Sequence, residues 1–404
     1  MSNLNDEIDL EAFRSEARAW IAENFPLSLK GRAAELFAEA QETVPGGDFE
    51  VWRQRVADKG WGAPTWPVEF GGAGLSPQAA RVLHQETIAA GAFNPMIAGL
   101  GLTMVGPTIL EYGTEDQKRR HLAPIARGEL RWCLGYSEPN AGSDLAALQT
   151  KCEDRGDHWA VNGQKIWTSG ANHADWCGAL VRTENTGRKQ DGISFVLISM
   201  HQPGVETRPI KLIAGASPFC ETFFNDARVE KTDMLGKLND GWNVGKRLLV
   251  HERASQMGEG VMNQTKPEPL QDIAHRYLKS DARGRLADGD LRTRMTQHLM
   301  RARAHELTLE RVAAESKGSS PSSAISSLKN SSTEVAQIRA ELIVEIMGNR
   351  GVGWQGAGFT EEEIAAMRTM LGNKAMSIYG GSTEVQNNIV AKRVLGLPDM
   401  TKSS

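Results

Sequence analysis

Long runs of one charge are missing from this sequence. Its 404 residues include 46 Lys and Arg against 50 Asp and Glu, for a net charge of −4, and no long basic stretch occurs. Proteins that bind nucleic acid usually carry a basic stripe, so we do not expect a nucleic-acid partner. A local basic pocket for a phosphorylated ligand remains compatible with this composition.

Metal-ligand spacings are missing as well. The cysteines form no Cys-x-x-Cys pair, and no histidine cluster has the spacing of zinc ligands. We therefore expect free, buried or half-buried thiols in a reducing cytoplasm, and no metal site. The four cysteines are Cys133, Cys152, Cys177 and Cys220.

No apolar run continues far enough to span a membrane. The most apolar stretch, residues 88–110, is interrupted by Asn94, Pro95 and Pro107, and proline breaks a helix in its interior. The first residues are acidic, unlike those of a signal or transit peptide. These features predict a soluble, cytoplasmic protein with no membrane partner.

Helical periodicity dominates residues 1–130. Phe13, Ala17, Trp20 and Ile21 follow the spacing of one helix face, and Pro26 should end that helix. Gly and Pro breaks separate the helical stretches that follow. These cover residues 49–59, 76–90 and 114–127.

Short β-rich runs replace this periodicity over residues 131–235. Asn162-Gly163 lies between two strand-like runs, which predicts a hairpin turn at that dipeptide. A second strand is predicted over residues 193–199, and residues 209–224 should add more β-structure.

The helical period returns over residues 236–404. Trp242 and Leu248 open a long helix, residues 335–346 carry a second apolar stripe, and a polar loop is predicted over residues 318–323. The predicted fold is α+β, with an all-α N-terminal domain, a small central β-domain and a C-terminal four-helix bundle.

Two segments of the β-region could bind a planar, hydrogen-bonding ligand. The first is Gly-Tyr-Ser-Glu-Pro-Asn-Ala-Gly-Ser-Asp at residues 135–144, and the second is Ile-Trp-Thr-Ser-Gly at 166–170. The backbone amides and hydroxyls of the first could face an isoalloxazine ring, and the Trp of the second could cover one ring face. Taken singly, the first is also compatible with an ordinary capped turn, and the second with a core tryptophan.

Together with the tail, these motifs resemble those of the acyl-CoA dehydrogenase family. Ser-Glu-Pro-x-Ala-Gly-Ser-Asp, Asn-Gly-x-Lys-x-Trp and Tyr-x-Gly-x-x-x-x-Gln occur in one order over almost the whole chain. The resemblance implies FAD, an acyl-CoA substrate, and removal of an α-proton by a base while flavin N5 takes the β-hydride. It also implies that an electron-transfer flavoprotein accepts the electrons, and that the chain forms a homodimer or tetramer, or a heteromer.

The same resemblance assigns site residues by position. For FAD it implies Tyr136, Ser137, Ser143, Trp167, Ser169, Glu345, Gly348, Asn349, Ser382 and Glu384. For the substrate it implies Ser143, Arg253 and Gly381, with the backbone amide of Gly380 on the thioester oxygen. Read without the family, residues 345–349 are also compatible with a plain Gly-rich helix exit.

The resemblance also implies that the catalytic base is displaced in this chain. Gly380 stands where many family members have the catalytic glutamate in the tail motif. Isovaleryl-CoA, long-chain and several steroid-side-chain members carry their base on the first long C-domain helix, in a motif that ends in Glu-Arg. Glu252-Arg253 matches that motif, so the resemblance implies Glu252 as the base. Its neighbour His251 should face elsewhere, because one helical residue turns by about 100°.

A second departure leaves two other functions open. Most members have an Arg-x-x-Phe-Gly segment that contacts the neighbouring subunit's FAD, whereas residues 280–290 here are polar and turn-rich. The chain could therefore be a non-catalytic partner subunit of a heteromeric acyl-CoA dehydrogenase. A flavin oxidase or monooxygenase on the same fold is the other alternative.

Overall fold

The computed structural model describes residues 9–33, 35–37, 46–96, 99–262, 267–315 and 324–398, and the side chains of 253–262 and 313 are outside the description. These residues form two compact units. One contains the chain up to Ile210 together with Ser217–Met262, and the other contains Lys211–Ala216 together with the residues after 262. The domain boundaries at 130 and 235 stay a prediction.

Capping side chains define the N-terminal helices. Asp9 accepts hydrogen bonds from the backbone of Glu11 and Ala12, and Thr114 forms a capping box with Gln117. Such caps satisfy the free N–H groups of the first turn. The predicted helices are confirmed to within one residue. The helices of this region are α1 (Leu10–Asn24), α2 (Asp48–Asp58), α3 (Pro77–Ala89), α4 (Gly106–Tyr112) and α5 (Glu115–Ala126), of which α4 was not predicted.

One twisted sheet follows the helices. Its hydrogen-bonded order is β6-β7-β3-β2-β4-β5-β8, and β1 pairs in parallel with β4. The strand predicted over 193–199 is confirmed as β5. The strands are β1 (Trp132–Gly135), β2 (Lys151–Asp154), β3 (His158–Ser169), β4 (Trp176–Arg182), β5 (Ile193–Ser199), β6 (Val205–Ile210), β7 (Phe219–Glu230) and β8 (Met234–Leu235).

The hairpin predicted at Asn162-Gly163 is wrong. Strand β3 runs through both residues with a bulge, and Gly163 has φ = 154°. A Cβ on Gly163 would lie 2.6 Å from the Thr150 hydroxyl, so this glycine permits close packing instead of a turn. The β2–β3 turn lies earlier in the chain, at residues 155–157, where Gly156 has φ = 90°.

Six further helices follow the sheet in the described ranges. In the second unit α9 packs against α7, α8 and α10, with Leu342 and Ile346 of the predicted stripe buried. The predicted order of helical, β and helical domains is confirmed, while the loop predicted at 318–323 lies outside the described residues. The helices are α6 (Gly241–Met262), α7 (Leu270–Tyr277), α8 (Gly289–Glu315), α9 (Ile325–Met347), α10 (Glu361–Asn373) and α11 (Thr383–Ile389).

Nowhere in the described ranges does a helix combine the length and the apolar character needed to cross a membrane. Likewise, no group of three His, Cys, Asp or Glu side chains in that part of the chain could hold a metal ion. All four cysteines are free and buried.

Candidate functional site

Helix α6 and the loop after β1 bring Glu252 near Tyr136. Burial raises the pKa of the Tyr136 hydroxyl well above its ordinary value, and the Glu252 carboxylate raises it further. The same hydroxyl donates to the carbonyl of Gly245 at 3.3 Å. Gly245 and Glu252 are seven residues apart, which places them on one helix face. Glu252 is half-buried on that face.

A different side of α6 carries His251. Both Arg247 and His251 reach Glu111 of α4. The Arg247 nitrogens lie 2.6 Å from the Glu111 oxygens, and His251 Nε2 lies 3.3 Å from one of them. His251 therefore pairs with a carboxylate outside the predicted site, and burial lowers the pKa of its ring. The side chain of Arg253 lies outside the described residues.

The loop after β1 is fixed by its backbone. The Ser137 carbonyl accepts a hydrogen bond from Ile166 N at 2.9 Å, which joins this loop to β3. Ser137 is half-buried and Ser143 is exposed. Next to Ser143, the Asp144 carboxylate pairs with Lys189 at 2.6 Å. The loop thus presents two hydroxyls from a braced backbone.

Trp167 is the most strained residue of this region. It has φ = 61°, its side chain is 53% exposed, and its ring meets Phe219 edge-on with the centroids 6.2 Å apart. A non-glycine residue in the left-handed region costs free energy and persists only where the surroundings hold it. The β3–β7 register shifts at this point. Ser169 follows at the end of the strand and is half-buried.

A buried ion pair joins the loop after β1 to strand β3, and the sequence did not predict it. Lys165 Nζ lies 2.8 Å from Glu138 Oε1, with both side chains buried. Both residues belong to family motifs quoted above. Glu138 lies in Ser-Glu-Pro-x-Ala-Gly-Ser-Asp, and Lys165 lies in Asn-Gly-x-Lys-x-Trp. Nothing in the spacing of the two motifs indicated that these side chains meet.

The tail of the chain forms a tight double-glycine loop in the second unit. Gly380 and Gly381 have φ = 64° and 86°. Gln386 donates to the Gly380 carbonyl at 3.0 Å, and Lys329 of α9 donates to the Gly381 carbonyl at 2.7 Å. The Gly380 N–H donates no hydrogen bond within the described ranges. It is therefore an available donor, as its predicted role requires.

The remaining predicted residues lie at helix ends of the same unit. Ser382 caps α11 by accepting from Val385 N at 3.3 Å, and Glu384 is exposed in the first turn. Hydrogen bonds from its own backbone and from Ser382 lower the pKa of Glu384, and Lys329 lowers it further. At the end of α9, Glu345 pairs with Arg294 on α8.

Gly348 and Asn349 follow α9 directly. Both are exposed, and Gly348 has φ = 55°. This geometry is that of a glycine at a helix exit, as the alternative interpretation of residues 345–349 has it. The FAD role assigned to this segment stays a prediction.

The donor set of the first unit fits a flavin ring. The hydroxyls of Ser137 and Ser169 make no hydrogen bond with the described part of the chain, and Trp167 offers an exposed aromatic plane. A flavin needs such hydrogen-bond donors along one edge and an aromatic or apolar cover on a face. The contacts of these residues with FAD stay predictions.

Three domain matches cover most of the chain. Residues 8–129, 133–227 and 239–395 match the acyl-CoA dehydrogenase N-terminal, middle and C-terminal domains, respectively. The chain is also similar to acyl-CoA dehydrogenase IpdE1 of Mycobacterium tuberculosis. The two are 37% identical over 402 residues, which cover 98% of this chain and 99% of that protein.

Two solved structures resemble this fold over nearly its full length. The ChsE4-ChsE5 complex from Mycobacterium tuberculosis is 28% identical with a TM-score of 0.72, covering 98% of this chain and 100% of that chain. The Tcur3481-Tcur3483 steroid ACAD is 27% identical with a TM-score of 0.71 and the same coverage, 98% and 100%.

Proposed function

Because this chain belongs to the acyl-CoA dehydrogenase family, we propose that it uses FAD to oxidise the α–β bond of an acyl-CoA thioester. The family assignment makes it an oxidoreductase of lipid catabolism, and the predicted resemblance is confirmed. When bound, FAD supplies the hydride acceptor. The other parts of the reaction are carried by the chain's own residues.

Glu252 is the proposed base. An α-proton of a thioester is weakly acidic, so a carboxylate must reach it in a site of low polarity. The observation that carries this proposal is the place of Glu252 on the same face of α6 as Gly245, whose carbonyl accepts a hydrogen bond at 3.3 Å from Tyr136 of the predicted flavin loop. Burial and, after it, the Glu252 carboxylate raise the pKa of that hydroxyl, which agrees with this placement. The half-burial of Glu252 on the Gly245 face of α6 also supports it.

The Gly380 N–H is the proposed donor to the thioester oxygen. Negative charge develops on that oxygen as the α-proton leaves, and a fixed N–H stabilises it. The bonds from Gln386 and Lys329 to the neighbouring carbonyls support a rigid orientation of the double-glycine loop. The other proposed binding residues are those that the resemblance implies. They are Tyr136, Ser137, Ser143, Trp167, Ser169, Arg253, Glu345, Gly348, Asn349, Gly381, Ser382 and Glu384.

An electron-transfer flavoprotein is the proposed electron acceptor, and the cytoplasm is the proposed location, consistent with four free cysteines. For the acyl group we propose a steroid-derived one, because a similar solved structure is a steroid ACAD. A homodimer or tetramer is the proposed assembly.

Anaerobic mixing with acyl-CoA thioesters tests the base. Straight, branched, aromatic and steroid-derived thioesters are added to the FAD-loaded protein, and bleaching of the flavin absorbance is followed. Glu252→Gln should retain FAD and bleach at least about a hundredfold more slowly, the usual contribution of a general base. Glu111→Gln is the matched control, because it removes a carboxylate that pairs with the same helix through Arg247. Bleaching at the wild-type rate by Glu252→Gln would refute the assignment.

A non-catalytic subunit of a mixed oligomer is the second candidate. The polar turn at residues 280–290, in place of the segment that contacts a neighbouring FAD, favours it. The similar ChsE4-ChsE5 complex contains two different chains. FAD retained by the chain purified alone would count against this candidate. Slow reoxidation of the reduced flavin by air would count against an oxidase or monooxygenase.

A further inference from the structure

Two charged side chains that the proposed reaction does not use are enclosed within the β-region. Lys165 of β3 has no exposed surface, and Glu138 is 8% exposed. Their charged atoms, Lys165 Nζ and Glu138 Oε1, are 2.8 Å apart. Burying a charge is costly unless it is paired and hydrogen-bonded. A purely structural role would be filled more simply by apolar side chains of the same size.

The hydrogen bonds of the pair reach three segments of the chain. Lys165 Nζ also donates to the Tyr136 carbonyl at 3.2 Å. Glu138 accepts from the backbone N–H of Gln149 at 2.6 Å and of Thr150 at 2.9 Å. The pair therefore ties together the loop after β1, the entry into β2 and the middle of β3.

The loop and β3 are also the two segments that carry the proposed flavin contacts of this unit. Lys165 lies two residues before Trp167, whose φ of 61° needs support from its surroundings. Between them, Ile166 N donates to the Ser137 carbonyl at 2.9 Å. The buried ion pair and this backbone hydrogen bond together hold Trp167 in a fixed position with respect to Ser137.

We propose that Lys165 and Glu138 are positioning residues that hold the Tyr136–Ser143 loop and the Trp167–Ser169 segment in one fixed arrangement for FAD. The inference rests on the proposed function, in which these two segments bind the flavin. Neither side chain needs to touch the cofactor, because each acts through the backbone that it holds.

A second ion pair in the same unit provides a matched control. Arg120 of α5 lies 2.7 Å from Asp233, whose side chain is also buried, and the pair joins α5 to the segment after β7. Neither residue contacts the loop or Trp167 in the described structure. Arg120 is half-buried and also pairs with the exposed Asp116. Removing the Arg120–Asp233 pair therefore reports what the loss of a part-buried ion pair away from the loop does to stability.

The experiment compares Lys165→Met/Glu138→Gln with Arg120→Met/Asp233→Asn. The first variant removes both charges and keeps one acceptor oxygen at position 138, which can accept from only one of the Gln149 and Thr150 amides. The thermal midpoint of unfolding and the Kd for FAD, from fluorescence titration of the apoprotein, are measured for each. We expect both variants to unfold at a lower temperature. The Kd for FAD should rise about tenfold or more in the first variant, as for a lost charged hydrogen bond, and stay within about twofold in the second.

The result that would overturn the inference is a folded Lys165→Met/Glu138→Gln variant with the wild-type Kd. If that variant does not fold, Glu138→Asp is measured instead, because it keeps the charge and shortens the reach by one methylene. A weakened Kd in Glu138→Asp supports the inference, and an unchanged Kd refutes it. If the wild-type protein itself fails to bind FAD, the proposed function fails first, and the inference fails with it.

Discussion

His121 of α5 should make the first unit sensitive to mild acid. The residue is 2% exposed, and its ring meets the stacked rings of Trp132 and Trp176 edge-on, with the centroids 5.1 and 4.8 Å away. Neither ring nitrogen has a hydrogen-bond partner among the described residues. The pKa of His121 is lowered from 6.5 to about 4, chiefly by burial and then by the charge of Arg120, while Asp116 opposes the shift. The histidine is therefore neutral in the folded protein at neutral pH.

The direction in which pH changes the free energy of unfolding follows from proton uptake on unfolding. Between the folded and unfolded pKa values the unfolded chain binds more protons, so the free energy of unfolding falls as the pH falls below 6.5. The contribution of His121 is complete above that value and is lost progressively towards pH 4. With these two pKa values the loss is about 2 kcal/mol at roughly pH 5.

Hydrogen exchange of peptides from α5 is the suitable assay, because a chain with two units need not unfold in one step. The opening free energy of residues 115–126 is measured at neutral pH and near pH 5 in the wild type, in His121→Phe and in the exposed control His201→Gln. The phenylalanine variant should lose about 2 kcal/mol less on acidification than the wild type does, while the control should follow the wild type. An equal pH dependence in His121→Phe and the wild type would refute the reasoning.

Three further predictions concern glycines and the tail loop. Gly163→Ala should destabilise the sheet by about 2 kcal/mol more than Gly156→Ala does. A Cβ at 163 would lie 2.6 Å from the Thr150 hydroxyl, whereas one at 156 would meet no atom within 4 Å. Equal midpoints of chemical denaturation for the two variants would contradict this prediction. Lys329→Met should weaken acyl-CoA binding about tenfold with FAD content unchanged, because it removes the hydrogen bond to the Gly381 carbonyl. The measurement is a titration with a non-reactive acyl-CoA analogue. The control is Lys374→Met, which removes an exposed ion pair to Glu341. Gly380→Glu should partly restore flavin bleaching to Glu252→Gln, because nothing lies within 4 Å of a Cβ at 380. The φ of 64° at this position will cost a glutamate about 1–2 kcal/mol. No recovery with any thioester would contradict a shared position for the two carboxylates.

Local signals explain which elements were predictable. Helices α3 and α5 begin at Ser76 and Thr114, whose side chains cap their own first turns, so the information lies within a few residues. The Asn162-Gly163 prediction failed because the decisive partners are remote. Asn162 exchanges two 2.8 Å hydrogen bonds with Asp226, which is 64 residues away and on the neighbouring strand.

The same contrast holds for the candidate site. Glu252 could be singled out from the missing carboxylate at position 380 and from the Glu-Arg motif. Its proximity to Tyr136 could not be read from the sequence, because 116 positions separate the two residues and only the packing of α6 on the sheet brings them together. The contact between Glu138 and Lys165 likewise could not be predicted from the sequence.

By itself the sequence determined the order of helical and β-rich regions, the helix ends and the family motifs, because periodicity and capping act over one or two turns. Tertiary structure alone decided that β3 continues through a glycine, that a lysine and a glutamate form a buried ion pair, and that His121 is buried against two stacked tryptophans. These three features depend on contacts between residues that are far apart in the sequence and that exclude water from one another. Such contacts produce no periodic pattern in the sequence.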